Sequence, residues 1–241
     1  MKYFIITSLR CGSHYCGESI ALRLQILPLG ECLNPMYKND RYTFENNQVQ
    51  INWPKQALLD GIDKIDKSSI GSSPFEIQNR LDNLLVTDND WQAQAHIAYF
   101  RELDKDAIKN IVEKTNAILL YRENFTDAII SWVIAKENDN FVSREKQAIQ
   151  KVYYDKNKHL DIIKDIIKDY KLLQEIKDKY NWFKVYKYED FTSDPSLDFS
   201  DYTLQNQNTN WNLPVKNNTE KEKRSLIVNI EELIGDINGM E

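Results

Sequence analysis

The sequence is poor in the features that mark several large functional classes. Its three cysteines, Cys11, Cys16 and Cys32, form no metal-ligand spacing, and so odd and sparse a set points to reduced thiols in a cytosol-like compartment. No excess of positive charge is present: 31 Lys and Arg stand against 37 Asp and Glu, a net charge of −6. That balance gives no support to nucleic acid as the main partner, while leaving room for a local basic pocket around an anionic ligand. No stretch approaches the roughly 20 consecutive apolar residues of a membrane span. The opening apolar run, Tyr3-Phe4-Ile5-Ile6, ends before Thr7 and Arg10 and is too short for a signal-peptide core. These absences predict a soluble, cytoplasmic protein without a metal site. Oligomeric state is not legible.

What is present is enough for a sizeable core. Hydrophobic residues make up 41% of the chain, with five Trp and thirteen Tyr, and 241 residues suit a single domain spanning 1–241. Tyr3–Ile6, Trp91–Ile97, Ala117–Tyr121 and Trp182–Tyr188 read as strands, Ala117–Tyr121 being the best central one, and Leu84–Thr87 as a possible further one. Helices are expected over Gly17–Leu29, Phe75–Leu84, Leu103–Glu113, Thr126–Lys136, Ser143–Lys179 with a break near Asp155, and Glu220–Ile234. The order alternates strand and helix, which predicts a three-layer α/β fold: a parallel sheet with helices on both faces. Residues 35–72 read as an irregular loop or lid over the site, and 143–180 as a helical region on the substrate side.

The main chemical signal follows the first strand: Arg10-Cys11-Gly12-Ser13-His14-Tyr15-Cys16-Gly17-Glu18-Ser19. From Gly12 the spacing is that of a Walker A phosphate loop, but Glu18 stands where that loop carries its lysine. A carboxylate there repels the β- and γ-phosphates of a triphosphate. Strand, tight loop and helix start still bring backbone N–H groups together on an anion, and Gly12 lets the backbone pass close to an oxyanion. Arg10 is the cation in front, with Ser13 and His14 as side-chain donors. An ordinary strand-to-helix turn without a ligand fits the loop equally well when it is taken alone. A second cation, Arg122, follows the strand Ile118–Tyr121 and precedes a helix carrying Asp127 and Ser131. Both arginines fall at carboxyl ends of strands, where ligands bind in sheets of this kind.

Taken together these segments resemble the sulfotransferase family. Ile6–His14 is similar to its 5′-phosphosulfate loop, and Leu120–Ser131 to its 3′-phosphate motif. Phe183–Pro195 resembles the later strand ending in Tyr188-Glu189-Asp190, and Lys216–Leu233 the C-terminal stretch that closes over the nucleotide. The resemblance implies the P-loop NTPase-like sulfotransferase fold, with 3′-phosphoadenosine-5′-phosphosulfate (PAPS) as sulfuryl donor and no metal requirement. It also implies in-line transfer to an acceptor hydroxyl, of a carbohydrate or another small molecule. Cofactor-binding positions are then Arg10, Cys11, Gly12, Ser13, His14, Tyr15, Arg122, Ser131 and Lys216. Arg10 would stabilise charge growing on the leaving phosphate. A general base has two candidates: Glu31, in the segment Gly30–Pro35 after the first helix, and His96, at the end of the strand before the 3′-phosphate motif. His159 lies in a charged helix with no functional case. Two other classes stay open: a nucleotide or small-molecule kinase with a degenerate P-loop, which lacks both the lysine and an evident Walker B carboxylate, and a non-catalytic nucleotide-binding protein of the same fold.

Overall fold

The computed structural model describes residues 1–35, 42–51, 72–139, 149–191 and 220–240. Five strands form one parallel sheet: β1 (Lys2–Thr7), β2 (Leu27–Gly30), β5 (Trp91–His96), β6 (Asn116–Tyr121) and β7 (Lys184–Lys187), in the order β2-β5-β1-β6-β7. β1 is central because Phe4 to Ile6 are apolar on both faces, as a strand buried on both sides requires; all three are fully buried. β6, expected as the central strand, is its neighbour, with Thr7 in register with Leu120 on one side and with His96 on the other.

Two clusters fill the layers. One face of the sheet, with Phe4, Ile6, Ala93 and Leu119, is covered by α2 (Pro74–Val86) and α3 (Ala107–Lys114). The other, with Ile5, Ile118 and Leu120, is covered by α1 (Ser13–Leu24), α4 (Phe125–Glu137) and α8 (Ile230–Asn238). The long α5 (Lys156–Lys177) supplies Ile163 and Ile166 to the second cluster and Leu173 and Ile176 to the first. The three-layer α/β expectation therefore holds. Because β1 leads through α1 to one side and β5 leads through α3 to the other, the loops after these adjacent strands diverge. Such a divergence opens a crevice at the carboxyl ends.

Several boundaries differ from the sequence reading. The first helix starts at Ser13, not Gly17, and stops at Leu24 because Gln25 takes a left-handed backbone (φ 55°). Leu27 to Leu29, expected as the end of that helix with Leu27 on its apolar side, instead belong to edge strand β2. Leu84 to Val86 are the last turn of α2, not a strand. That helix is fixed by a capping box in which Ser73 and Glu76 exchange hydrogen bonds, with Pro74 next to the cap. Within the expected irregular stretch lies a hairpin, β3 (Tyr42–Glu45) and β4 (Gln48–Ile51), turned by Asn46 and Asn47 at φ 50° and 57°. Paired left-handed asparagines are the chemistry of a two-residue hairpin turn. Residues 36–41 and 52–71 lie outside the described residues.

Of the helix expected over Ser143–Lys179, the described part begins at Lys156, with Asp155, where a break was anticipated, as its N-cap. Residues 140–148 are outside the described residues. Tyr188–Phe191 coils into a single turn, α6, and the last helix is divided into α7 (Glu220–Leu226) and α8. Among the described residues no helix is long and apolar enough to cross a membrane.

Candidate functional site

The loop after β1 turns on two left-handed residues, Arg10 (φ 62°) and Gly12 (φ 72°). Arginine enters this region only where the surroundings hold it. Its Nε donates to Ser131 Oγ at 3.2 Å, and its carbonyl accepts from Arg122 Nη1 at 3.5 Å. Gly12 has no alternative, since a Cβ there would sit 2.9 Å from the Tyr188 ring. Cys16 N–H then donates to Gly12 O and starts α1. Arg10 and the pair Ser131 and Arg122, more than a hundred residues away in sequence, thus converge on one turn.

Arg122 is buried, with its guanidinium 4.7 Å from the centre of the Tyr188 ring and its Nε 3.7 Å from Glu189 Oε1. The Tyr-Glu segment after β7 therefore touches both the loop and the second cation. Beside it a cleft of about 380 Å³ is lined by Glu123, Asn124, Phe125, Thr126 and Glu189. Asp127, in the first turn of α4, accepts two hydrogen bonds on Oδ1 from Arg224, at 3.2 and 2.9 Å. That pair fastens α7 to the start of α4. Lys216 lies outside the described residues.

Cys11 faces away from the anion side of the loop. Its Sγ lies 3.2 Å from both Ser8 Oγ and Tyr170 OH. Ser13 is buried at the head of α1, and Tyr15 is half-buried against the second core cluster.

On the other side of the loop the two base candidates meet. His96 Nε2 lies 2.9 Å from Glu31 Oε1, and His14 Nε2 lies 3.1 Å from the same oxygen. Asn34 Nδ2 donates to Oε2 at 3.0 Å, and Tyr99 OH reaches it at 3.4 Å while its ring stacks on His96. Glu31 is held there by a tight turn after β2, in which Asn34 N–H bonds Glu31 O, and by buried Arg80 of α2, whose Nη1 donates to Cys32 O at 2.8 Å. Burial alone favours the neutral acid, but His96 and His14 outweigh it and hold the Glu31 carboxyl well below the usual range. For His14 burial opposes the charge, and Glu18 and Glu31 outweigh it, raising the ring to about 9.

His14, Glu31 and His96 were all legible as candidates; their union on one oxygen atom was not, because it depends on where β2 and β5 end. Asn34 and Tyr99 carried no site signal of their own, while Tyr188 and Arg224 were marked only as parts of the segments Phe183–Pro195 and Lys216–Leu233. Among the described residues no group of three His, Cys, Asp or Glu side chains has the geometry to hold a metal ion. No protein-family model matches the sequence, and no curated protein matches it. The functional reading rests on the site itself.

Proposed function

We propose that the protein is a sulfotransferase, moving a sulfuryl group from PAPS to an acceptor hydroxyl of a carbohydrate or other small molecule. The observation that carries this reading is the convergence of Arg10, Ser131 and Arg122 beside the loop, with the Glu31–His96 pair on its other flank. Two arginines and a hydroxyl, with Arg122 and Ser131 buried and Arg10 half-buried, suit a ligand with several negative groups, because guanidinium–phosphate hydrogen bonds gain strength where water is excluded. PAPS supplies the sulfuryl group and a second, 3′-phosphate anchor.

Within this reading Arg122 and Ser131 hold the 3′-phosphate, and Arg10 with the loop N–H groups carries the charge that grows on the departing side. The base needs a lone pair that is not already engaged. Both oxygens of Glu31 accept hydrogen bonds, and its low proton affinity makes it a poor acceptor of another proton. His96 suits the task better: Glu31 fixes one ring nitrogen, leaving Nδ1 to take the acceptor's proton. Glu31 is then a positioning residue, in the way a carboxylate orients the histidine of a hydrolytic triad. A kinase reading is weaker, since Glu18 takes the lysine's place.

Calorimetry with 3′,5′-ADP, the desulfated product, against ATP with Mg²⁺ is the direct test. We expect 3′,5′-ADP to bind and ATP–Mg²⁺ not to. Arg10→Ala and Arg122→Ala should each weaken 3′,5′-ADP by about tenfold or more, the range of a charged hydrogen bond lost from a buried site. Unchanged affinity in both variants would remove the assignment. With an acceptor in hand, His96→Ala should lose about 10²–10⁴ in kcat. Glu31→Gln should lose less and shift the pH profile.

A further inference from the structure

Glu18 is the residue that spoils the triphosphate loop, and by sequence alone its charge works against any anion bound there. The fold gives it a different neighbour. Its Oε1 lies 3.9 Å from His14 Nδ1, one turn back along α1, an ion-pair distance too long for a hydrogen bond. The other ring nitrogen of His14 lies 3.1 Å from Glu31 Oε1. The imidazole is thus bracketed by carboxylates, one at each nitrogen. A neutral ring carries a single N–H and would turn a lone pair toward one of the two; only the imidazolium suits both. The other titratable groups at this cluster are His96, on the same Glu31 oxygen, and Tyr99, on Oε2.

We propose that His14, held as an imidazolium by Glu18 and Glu31, is the loop's second cation and stands in for the missing lysine, so that anion binding at the loop requires protonated His14. His14 is the second residue of α1, in the first turn, where helix N–H groups and dipole already favour negative charge. Its side chain is 20% exposed, open enough to meet a ligand, while Glu18 and Glu31 are each 10% exposed behind it. The raised proton affinity of the ring agrees with this arrangement. Glu18 then assists anion binding indirectly instead of opposing it. The inference depends on the sulfotransferase reading only for the identity of the anion.

The test turns on a sign. Replacing Glu18 with Gln removes a negative charge from the loop, and if Glu18 simply repels the ligand, binding tightens at every pH. If Glu18 holds the proton on His14, binding weakens where the ring would otherwise lose it. We expect Glu18→Gln to bind 3′,5′-ADP about threefold more weakly than the natural protein at pH 8.5, the loss of protonated ring that a one-unit fall in its pKa from about 9 produces at that pH. At pH 6 the variant should bind equally or more tightly. His14→Gln should flatten the pH dependence. With only three histidines in the chain, ring NMR signals assigned by the His14→Gln variant report the charge directly, whatever happens to the variants' folding. A His14 ring that titrates near 6.5, or a Glu18→Gln protein that binds more tightly at pH 8.5, overturns the inference. Inorganic pyrophosphate serves as a second probe. Binding of pyrophosphate but not 3′,5′-ADP would overturn the sulfuryl-donor reading and leave this sign test to be read with pyrophosphate; binding of neither overturns both.

Discussion

At the scale of single residues, one carboxylate oxygen organises the acceptor side of the site. Glu31 Oε1 receives both His14 and His96, so changes in either ring are felt by the other through it. The pair of shifts predicts how stability follows pH. His14 is raised above its unfolded value of 6.5, so its contribution is complete below that pH and is lost as pH climbs through about 9. Glu31 is lowered below its unfolded value of 4.5, so its contribution is present above that pH and disappears as pH falls through the folded value. Urea unfolding should therefore give greatest stability between about pH 5 and 6.5, declining toward pH 9. The alkaline decline should shrink in His14→Gln. An unfolding free energy that rises between pH 7 and 9 would contradict the assigned shifts.

At the scale of elements, α1 approaches the sheet unusually closely. A Cβ at Gly17 would lie 2.4 Å from both Gln92 Nε2 and Gln94 Oε1, side chains that are themselves buried on β5. In an exposed helix, replacing glycine with alanine stabilises by about 0.5–1 kcal/mol. Here the added methyl must displace two buried amides, so Gly17→Ala should lower the thermal midpoint, and pairing it with Gln94→Ala should recover part of the loss. An unchanged or higher midpoint for Gly17→Ala would mean that helix and strand can separate freely. The same elements mark what the sequence made legible. β1, β5 and β6 were visible because buried parallel strands are continuous apolar or β-prone runs, and α2 because its capping box is local. β2 was not, since Leu27-Pro28-Leu29 continues the helical spacing of Ile20 and Leu24; only the left-handed Gln25 separates them, and nothing local announces it. In the site, Arg10, His14, Glu31, His96, Arg122 and Ser131 were legible by chemical type and position relative to strand ends. The bonds joining Arg10 to Ser131 and His14 to His96 through Glu31 were not, because they are set by the sheet's strand order.

At the scale of the whole molecule, the C-terminal helices are tied back by specific polar contacts. Asn229 exchanges hydrogen bonds with the Tyr154 backbone, Tyr154 OH donates to Asp236, and Arg224 grips Asp127. Asp127→Ala should cost about 1 kcal/mol, as expected for a partly exposed pair. Its clearer effect is local: hydrogen exchange should quicken over Glu220–Leu226 and stay slow in α4, because such openings are confined to the untethered element. Uniform acceleration of both would show that the pair supports the entire fold. The position of β1 has a different consequence, one that concerns how the chain is made. This strand leaves the ribosome before either of its neighbours, which lie at Trp91–His96 and Asn116–Tyr121. At about 5–20 residues per second, β6 follows on the order of ten seconds later. Until β5 emerges Phe4, Ile5 and Ile6 have no neighbouring strand to pair with, and the side that takes β6 stays open longer still. Three residues that end fully buried at the centre of the sheet are thus left without cover through much of the chain's synthesis.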